Sequence, residues 1–284
     1  MPVHFPKDRS IISVTGEDAE HFLQNLVTCD IEGLPEGVAR ASALLTPQGK
    51  VMFDFLVMRD GRGGYLIDIR ADLAGDFLRR LTMYKLRAKV EISQSDESLA
   101  AISWQDDSTS GGRVFTDSRF PENLHVRRHY GGAPDGEDDP AGWTALRIAN
   151  GVAESGADFA PGDAFPHDIS YDQNGGVSFR KGCFVGQEVV SRMQHRGTAR
   201  RRLVIVRAEG ALPEPGTALE AGGKPVGTLG SVAGDSALAV VRLDRAKSAM
   251  DSGTAITAGG RTVSLSLPPD AGYRWPEDSA NDGD

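Results

Sequence analysis

Apolar residues near the start of the chain recur at the spacing of an α-helix. They share one helical face: Ala19, Phe22, Leu23, Leu26 and Val27. Thr15 followed three residues later by Asp18 is typical of a helix start, so a first helix is predicted here. A second stripe consists of Leu73, Phe77, Leu81 and Tyr84. Asp72 stands just before this stripe as a candidate cap, which predicts a second helix.

Between these helices the pattern changes to short apolar runs separated by turn residues. From Val38 to Ile69 the runs ARASALL, VMFDFLVM and YLIDI are separated by TPQGK and RDGRGG, which predicts three antiparallel strands. LRAKVEI, LAAISW and NLHVRRH are further predicted strands, and the Ser/Gly-rich DDSTSGGR forms a loop between the last two. A short helix is predicted from Gly142 to Asn150. Together these elements indicate an α+β fold.

Beyond Gly197 the pattern consists of short strands only. RRLVIVRA, TALEA, KPVGTLGS, ALAVVRL and RTVSLSL alternate with tight turns such as AGGK and AGGR. This spacing predicts a small β-barrel of about seventy residues. The last fifteen residues are acidic and rich in Gly and Ser, so they are expected to fray.

The composition is that of a globular protein with two or three lobes: 284 residues, 39% hydrophobic, 25% charged, net charge −9. The start, MPVHFPKDRSII, lacks the basic and apolar regions of a signal peptide, and no apolar run has membrane-spanning length. A cytoplasmic location without a membrane partner is therefore predicted. Cys29 and Cys183 lie far apart, which argues against a disulfide framework and against a self-sufficient zinc or iron–sulfur site.

Positive charge is concentrated between Arg180 and Arg207, where eight basic residues stand against Glu188 alone. This basic island could face an anionic ligand. Its RGTARRR run could bind phosphates, but aromatic residues that would stack bases are missing, so direct nucleic-acid binding is not expected. The chain has no P-loop, GxGxxG or HExxH motif, so nucleotide hydrolysis, dinucleotide-dependent redox chemistry and zinc proteolysis have no support.

The segment RKGCFVGQE, which begins at Arg180, contains the side chain best placed for chemistry. A predicted helix over FVGQEVVSRMQ would put Cys183 near its N-terminus, beside Arg180 and Lys181. The two cations and the helix dipole favour the thiolate, which predicts a lowered pKa for Cys183. Gly182 and Gly186 leave the backbone open to a ligand. The alternative is that Cys183 is a small buried residue and that the glycines only form a turn.

Other polar residues are weaker candidates. Cys29, in LVTCDI, is predicted to be structural because a small apolar side chain packs well at the end of a helix. His167 and Asp168, in the long loop FPHDISYDQNGGVSF, could supply acid–base or hydrogen-bonding groups, as could Gln187 and Glu188. Each of these residues, taken alone, is more often a satisfied loop residue.

The stretch KGCFVGQEVVSR, from Lys181 to Arg192, resembles the signature of the YgfZ family of folate-binding proteins. That family is related to the T-protein (aminomethyltransferase) of the glycine cleavage system, and its mitochondrial members act in iron–sulfur cluster assembly. The resemblance continues in SVTGEDAEHFLQNLVTCDI, LLTPQGKVMFDFLV, LRIANGVAESGADF, FPHDISYD and the C-terminal barrel. It covers the chain roughly from Ser10 to Leu267.

The resemblance implies an α+β fold of three lobes that form a ring around a central channel. Two interleaved ferredoxin-like lobes with antiparallel sheets would form a folate-binding region over residues 1–196. Lobe one would take residues 1–45 with 141–196, and lobe two residues 46–140. The barrel would then occupy residues 197–268 and the acidic tail residues 269–284.

The resemblance also implies a function. The chain would be an accessory protein that binds tetrahydrofolate and supports assembly or repair of iron–sulfur clusters in client enzymes, including tRNA-modifying ones. Cys183 would be its functional thiol and at most a transient iron–sulfur ligand, without a stable metal site. Folate contacts are implied at Lys181, Gly182, Gly186, Gln187 and Glu188. Glu188 could pair the pterin, and Arg192 or Arg147 could meet the glutamate tail.

Two departures from the T-protein bear on catalysis. Ala149 stands where a T-protein has an acidic residue, and Phe53 with Asp54 stands where it has two aspartates. Losing one of the two aspartates and the acidic residue at position 149 argues against the full aminomethyl transfer reaction. Two alternatives stay open: a folate-dependent one-carbon transferase with Asp54 as the acid–base group, and an RNA- or protein-docking module that uses the run from Arg196 to Arg202.

Overall fold

A computed structural model describes residues 2–106, 112–197 and 199–276, which cluster into two compact units. Unit 1 is made of residues 1–143, 161–166 and 171–196, and unit 2 of residues 144–160, 167–170 and 197–284, each to the extent described. Most of the predicted DDSTSGGR loop and the end of the acidic tail lie outside the described residues. The predicted division into three lobes stays a prediction.

The described part of unit 1 contains nine strands that form one sheet in the order β1-β7-β9-β8-β3-β4-β5-β2-β6. The strands are β1 (Val3–His4), β2 (Arg9–Thr15), β3 (Val38–Leu45), β4 (Val51–Arg59), β5 (Tyr65–Arg70), β6 (Glu91–Gln94), β7 (Leu99–Ser103), β8 (Arg113–Asp117) and β9 (Arg127–Tyr130). The helices are α1 (Ala19–Leu26), α2 (Ala71–Lys85), α3 (Pro140–Ala149), which continues into unit 2, and α4 (Gln187–Arg196). All strand pairs are antiparallel except β3 with β8.

The first two predicted helices are confirmed, with a correction to where the second one begins. Helix α1 buries the predicted face in the core of unit 1, and α2 buries Phe77 and Leu81. Asp72 is not the cap of α2. The helix begins at Ala71, one residue before Asp72, and Asp72 pairs with Arg70 instead. A carboxylate in the first turn still suits the helix dipole there.

The three strands predicted between Val38 and Ile69 are confirmed as β3, β4 and β5. Alternate residues of β4 face α2, where the rings of Phe53 and Phe55 lie 5.3 and 5.0 Å from the ring of Phe77. Strand β8 was not predicted. In the predicted NLHVRRH strand, Glu122–Leu124 form a 3₁₀ turn and only the final residues join β9.

On the face of the sheet opposite α1 and α2, unit 1 buries a charged carboxylate, Asp68. Its oxygens accept hydrogen bonds from Arg9 Nε at 2.6 Å and from Arg128 Nη1 at 2.9 Å. The hydroxyl of Tyr130 donates a third, 2.7 Å long. Burial alone would raise the pKa of Asp68, but the charges of Arg9 and Arg128 outweigh it and the pKa is lowered.

Arg128 also holds a second buried carboxylate. Its Nε donates to Asp117 at 2.9 Å, and Arg119 donates to the same carboxylate from Nε and Nη2. Burial would raise the pKa of Asp117, yet the two guanidiniums keep it well below its usual range. Because Asp68 lies on β5 and Arg128 on β9, this network joins two parts of the sheet that are not neighbours in its hydrogen-bonded order.

The described part of unit 2 contains a closed barrel of six antiparallel strands in the order β10-β13-β12-β11-β14-β15, which confirms the predicted barrel. Its strands are β10 (Arg201–Ala208), β11 (Ala218–Ala221), β12 (Lys224–Ala233), β13 (Ser236–Arg242), β14 (Ile256–Ala258) and β15 (Arg261–Ser266). The expectation of strands only is wrong, because helix α5 (Leu243–Asp251) follows β13. It packs on the barrel through Leu243, Ala246 and Ala249, a stripe three residues apart.

Asp68→Asn is expected to lower the free energy of unfolding by about 3–5 kcal/mol, because the buried Arg128 would keep only Asp117 as a counter-charge and Arg9 would lose its ion pair with Asp68. Urea unfolding at neutral pH measures the change. Asp72→Asn, which breaks an exposed pair with Arg70, is the matched control and is expected to cost no more than about 1 kcal/mol. Equal losses in the two variants would contradict the role given to the network.

Candidate functional site

The segment 180–188 is anchored in unit 1 by Lys181. Its Nζ donates hydrogen bonds to the carbonyl oxygens of Val27 at 2.7 Å and Cys29 at 2.8 Å. Burial lowers the pKa of Lys181 to about 8. The ammonium is therefore directed at the stretch 27–29, which follows α1. Its predicted effect on the thiol of Cys183 stays a prediction.

Residues just before the segment are held by the same stretch. Ser178 N–H donates to the Thr28 carbonyl at 2.9 Å, and the Thr28 hydroxyl donates to the Gly176 carbonyl at 2.6 Å. Cys29 is buried in the core of unit 1, as predicted for a structural residue, and burial raises the pKa of its thiol. This stretch therefore fixes the path of the chain into the segment.

Gly186 fixes the other end of the segment. Its φ is +78°, and a Cβ built on it would lie 2.5 Å from the Thr46 carbonyl oxygen. Gly49, in the predicted TPQGK turn, has φ +79° and would place a Cβ 3.0 Å from the Cβ of Val189. Glycines at both positions let the turn and the start of α4 touch. The prediction of a helix from Phe184 is corrected, because the backbone of Gly186 is not helical and α4 begins at Gln187.

Between these anchors the segment exposes its thiol. Cys183 is exposed, and Gly182 has no atom within 4 Å of a built Cβ among the described residues. In the part of the chain that the structure describes, no group of three or more His, Cys, Asp and Glu residues could hold a metal ion. In the same part, no helix is long and apolar enough to cross a membrane.

The residues predicted for folate contacts are distributed over different surroundings. Gln187 is half-buried at the start of α4. Glu188 and Arg192 form an exposed ion pair one helical turn apart, so each neutralises the other. Arg147 belongs to unit 2, where it is buried. Its guanidinium contacts Asp158, Glu154, the Ser231 hydroxyl and the Val152 carbonyl.

Asp54 has a different environment from these residues. It lies on β4, on the face opposite Phe53, and is half-buried. The buried Tyr171 lies close enough for electrostatic contact: burial, and then the charge of Asp54, raise the pKa of its hydroxyl. Among the described residues, neither the Asp54 carboxylate nor the Tyr171 hydroxyl has a hydrogen-bond partner. The pair therefore offers an acceptor and a donor to a ligand.

The charges of Arg119 and Arg9 also act on Tyr171, so the buried network borders this pair. Sequence reasoning missed Tyr171, Arg119 and Arg9 as residues near a site. A signal was present only for Tyr171, which lies in the long loop already singled out as functional.

The other polar candidates belong to unit 2. Arg202 is buried there, donates to the His167 carbonyl at 2.8 Å and lies 4.6 Å from the ring of Tyr273. Asp168 is buried 3.7 Å from Arg201. Part of the predicted basic island is therefore engaged within unit 2 instead of forming one exposed surface.

Two family models match the chain. Residues 9–105 match the GCVT N-terminal domain, and residues 200–273 match the CAF17 C-terminal beta-barrel domain. A crystal structure of glycine cleavage system aminomethyltransferase T from Bartonella henselae superposes with a TM-score of 0.69. The match covers 97% of this chain and 88% of that one at 14% identity. These findings confirm the predicted fold.

Several curated relatives are named as mitochondrial iron–sulfur cluster assembly factor IBA57 or its homologue. The one from Pyricularia oryzae is 31% identical over 84% of this chain and 71% of its own length. The one from Neurospora crassa is 31% identical over 72% of this chain, and the human one is 28% identical over 84%. The chain spans about half the length of the Neurospora relative, 54%. The finer assignment to the YgfZ family stays a prediction.

These names overturn the predicted cytoplasmic location. The relatives from Pyricularia oryzae, Neurospora crassa and Homo sapiens are all named as mitochondrial proteins. The absence of a signal peptide for secretion carries no information on import into an organelle, since such import uses leaders of a different composition.

Gly186→Ala is expected to lower the free energy of unfolding by about 2–4 kcal/mol, because alanine is strained at this φ and its Cβ would collide with the Thr46 carbonyl. Gly182→Ala is the control within the same segment and is expected to change it by less than about 0.5 kcal/mol. Urea unfolding of both variants measures the difference. A Gly186→Ala variant as stable as Gly182→Ala would show that the segment is not anchored at this glycine.

Lys181 is expected to make stability rise with pH above about 8. Its pKa is about 8 in the folded chain and about 10.4 in an unfolded one. Between these values the unfolded chain binds more protons, so the free energy of unfolding increases as pH rises. The measurement is the difference in unfolding free energy between the wild type and Lys181→Met from pH 7 to pH 10. Parallel curves for the two proteins would rule out the lowered pKa.

Proposed function

Because this chain belongs to the family of the iron–sulfur cluster assembly factor IBA57, we propose that it supports assembly or repair of iron–sulfur clusters in client enzymes. In this proposal Cys183 is the functional thiol, tetrahydrofolate is the ligand, and the clients include tRNA-modifying enzymes. The observation that carries the proposal is the exposed thiol on a segment whose two ends are fixed by Lys181 and Gly186.

A single exposed cysteine suits a helper better than a cluster carrier. Protein-bound clusters are normally held by several cysteines, and the second cysteine of this chain, Cys29, is buried in the core. A cluster that binds Cys183 would need its other ligands from a partner. The cluster would therefore stay on this chain only while the partner is bound. The iron–sulfur cluster is then cargo or substrate of the complex. The anchored backbone limits the positions the thiol can take, which favours transfer to one defined acceptor.

For the folate, the pair of Asp54 and Tyr171 fits better than the predicted residues on α4. A pterin ring offers several donors and acceptors in one plane, and these two side chains supply an acceptor and a donor that the protein itself leaves unused. Glu188 is exposed and already paired with Arg192. We therefore assign the pterin to Asp54 and Tyr171, beside the buried network that includes Arg9 and Arg119.

The same pair keeps the transferase alternative in view. Asp54 could move a proton, whereas the neighbouring Phe53 packs against Phe77 and offers no second acid. A one-carbon transferase would turn over methylene-tetrahydrofolate with a carrier-bound aminomethyl substrate. The proposal of an accessory protein expects no turnover in that assay under anaerobic conditions.

Cys183→Ala, in a cell that lacks the wild-type protein, is expected to reduce the activities of [4Fe–4S] enzymes to the level of the empty cell. The reason is that the substitution removes the exposed cysteine sulfur while leaving both anchors intact. Gly182→Ala, next to the thiol, is the control and is expected to keep these activities. Undiminished enzyme activities with Cys183→Ala would refute the role given to the thiol.

Anaerobic titration with tetrahydrofolate is expected to show binding by the wild type and binding about tenfold weaker by Asp54→Asn and by Tyr171→Phe. Asp54→Asn removes the negative charge that strengthens the hydrogen bond it accepts, and Tyr171→Phe removes the donor hydroxyl. Glu188→Gln is the control and is expected to bind like the wild type. The reverse result, with weakened binding in Glu188→Gln alone, would move the pterin to α4. A wild type that does not bind would remove the ligand from the proposal.

A further inference from the structure

The C-terminal end of α2 exposes two large apolar side chains. Met83 is 68% exposed, and Leu86, at the residue that ends the helix, is 88% exposed. Both side chains therefore lie at the same end of the helix. A lone exposed apolar residue is ordinary, but two at the tip of one helix form an apolar knob.

Leu86 is also held in an unfavourable backbone conformation. Its φ is 45° and its ψ is −106°, and Ala88 N–H donates to the Lys85 carbonyl at 2.8 Å across it. These angles are those of the second residue of a type II′ turn, where glycine is the favoured residue. A leucine here is strained and buries almost nothing in the chain itself. Strain of this kind concentrates at functional sites.

The knob lies among positive charges. Arg80 is one helical turn before Met83, and Arg87 follows Leu86. Neither of these nor Lys85 has an ion-pair partner among the described residues. The chain as a whole has a net charge of −9, so the positive charge at this end of α2 is opposite in sign to the charge of the whole protein. Such a surface selects a partner with acidic groups.

A depression of about 490 Å³ adjoins the knob, with Lys85, Ala88 and Lys89 in its wall. Glu17 and Glu91 line the same depression. A lipid bilayer is too flat to fill this depression. Glu17 is already paired with Lys89, so Glu91 is the carboxylate that would repel the phosphates of lipids and of RNA. An apolar knob beside a hollow of mixed charge instead suits the irregular surface of a folded protein.

We propose that this end of α2 is the docking surface for an acidic protein of the iron–sulfur assembly machinery, an inference that rests on the function proposed above. Leu86 enters an apolar hollow of the partner, and Arg80 and Arg87 pair with carboxylates at its rim. The strain and exposure of Leu86 are costs to the free chain that binding offsets.

The test is photo-crosslinking in cells that assemble iron–sulfur proteins, with benzoylphenylalanine in place of Met83. The expected product joins the chain to an acidic iron–sulfur assembly protein, identified by mass spectrometry. Leu86→Gly removes the knob but suits the turn, so it is expected to keep or raise the midpoint of thermal unfolding while the crosslink yield falls about tenfold. A lower yield is also expected for Arg87→Glu. Arg62→Glu makes the same charge change on an exposed turn of unit 1 and is expected to keep the yield.

Any of four results overturns the docking surface: no crosslink to an acidic assembly protein, a crosslink only to lipid, to RNA or to a second copy of the chain, a yield that Leu86→Gly leaves unchanged, or an equal loss with Arg62→Glu. The Cys183→Ala variant in the same cells separates this inference from the proposed function. If client enzymes lose activity with Cys183→Ala but the crosslink yield is unchanged by Leu86→Gly, only the docking surface is wrong. Client enzymes that keep their activity would make the proposed function wrong, whatever the yield.

Discussion

The guanidinium of Arg128 is the group on which the rest of unit 1 depends. It is shared by Asp68 on β5 and Asp117 on β8, out of contact with water. Burying these charges is expensive, and the arrangement is tolerated because hydrogen bonds satisfy each of them. Few alignments of β5 relative to β8 and β9 would give every one of these buried charges a hydrogen-bond partner. The network therefore ties β5 to β8 and β9, and the charges of Arg9 and Arg119 in it act on Tyr171.

Along the segment 180–188, the residues that hold the backbone differ from the residue that we propose to be functional. Lys181 and Gly186 determine where the backbone runs. The Lys181 ammonium is directed at backbone carbonyls and Gly186 has no side chain, whereas the thiol of Cys183 is exposed. A reactive thiol on a flexible loop would meet many partners and oxidants. Fixing the backbone while leaving the sulfur open restricts the directions from which it can be reached.

Local periodicity was enough to predict α1, strands β3 to β5 and the barrel, because their apolar faces repeat over many residues. Helix α5 was not predicted, because its buried stripe is short and consists of one Leu and two Ala between two strands. The segment 180–188 could be found through its resemblance to a known signature. Its environment could not: Lys181 contacts carbonyls more than 150 residues away in sequence, and Asp54, whose charge acts on Tyr171, is also distant from it in sequence. Contacts set by tertiary packing leave no trace in local spacing.

The contact between Gly186 and the turn at Thr46 means that the signature is not a portable module. Nine residues transplanted into another scaffold would lack the carbonyls that receive the lysine and the tight turn beneath the glycine. Homologues that alter the TPQGK turn should alter the start of α4 with it, so the two stretches are expected to co-vary as one inherited unit. Engineering a relative with a relocated thiol would require moving three separate pieces of chain together.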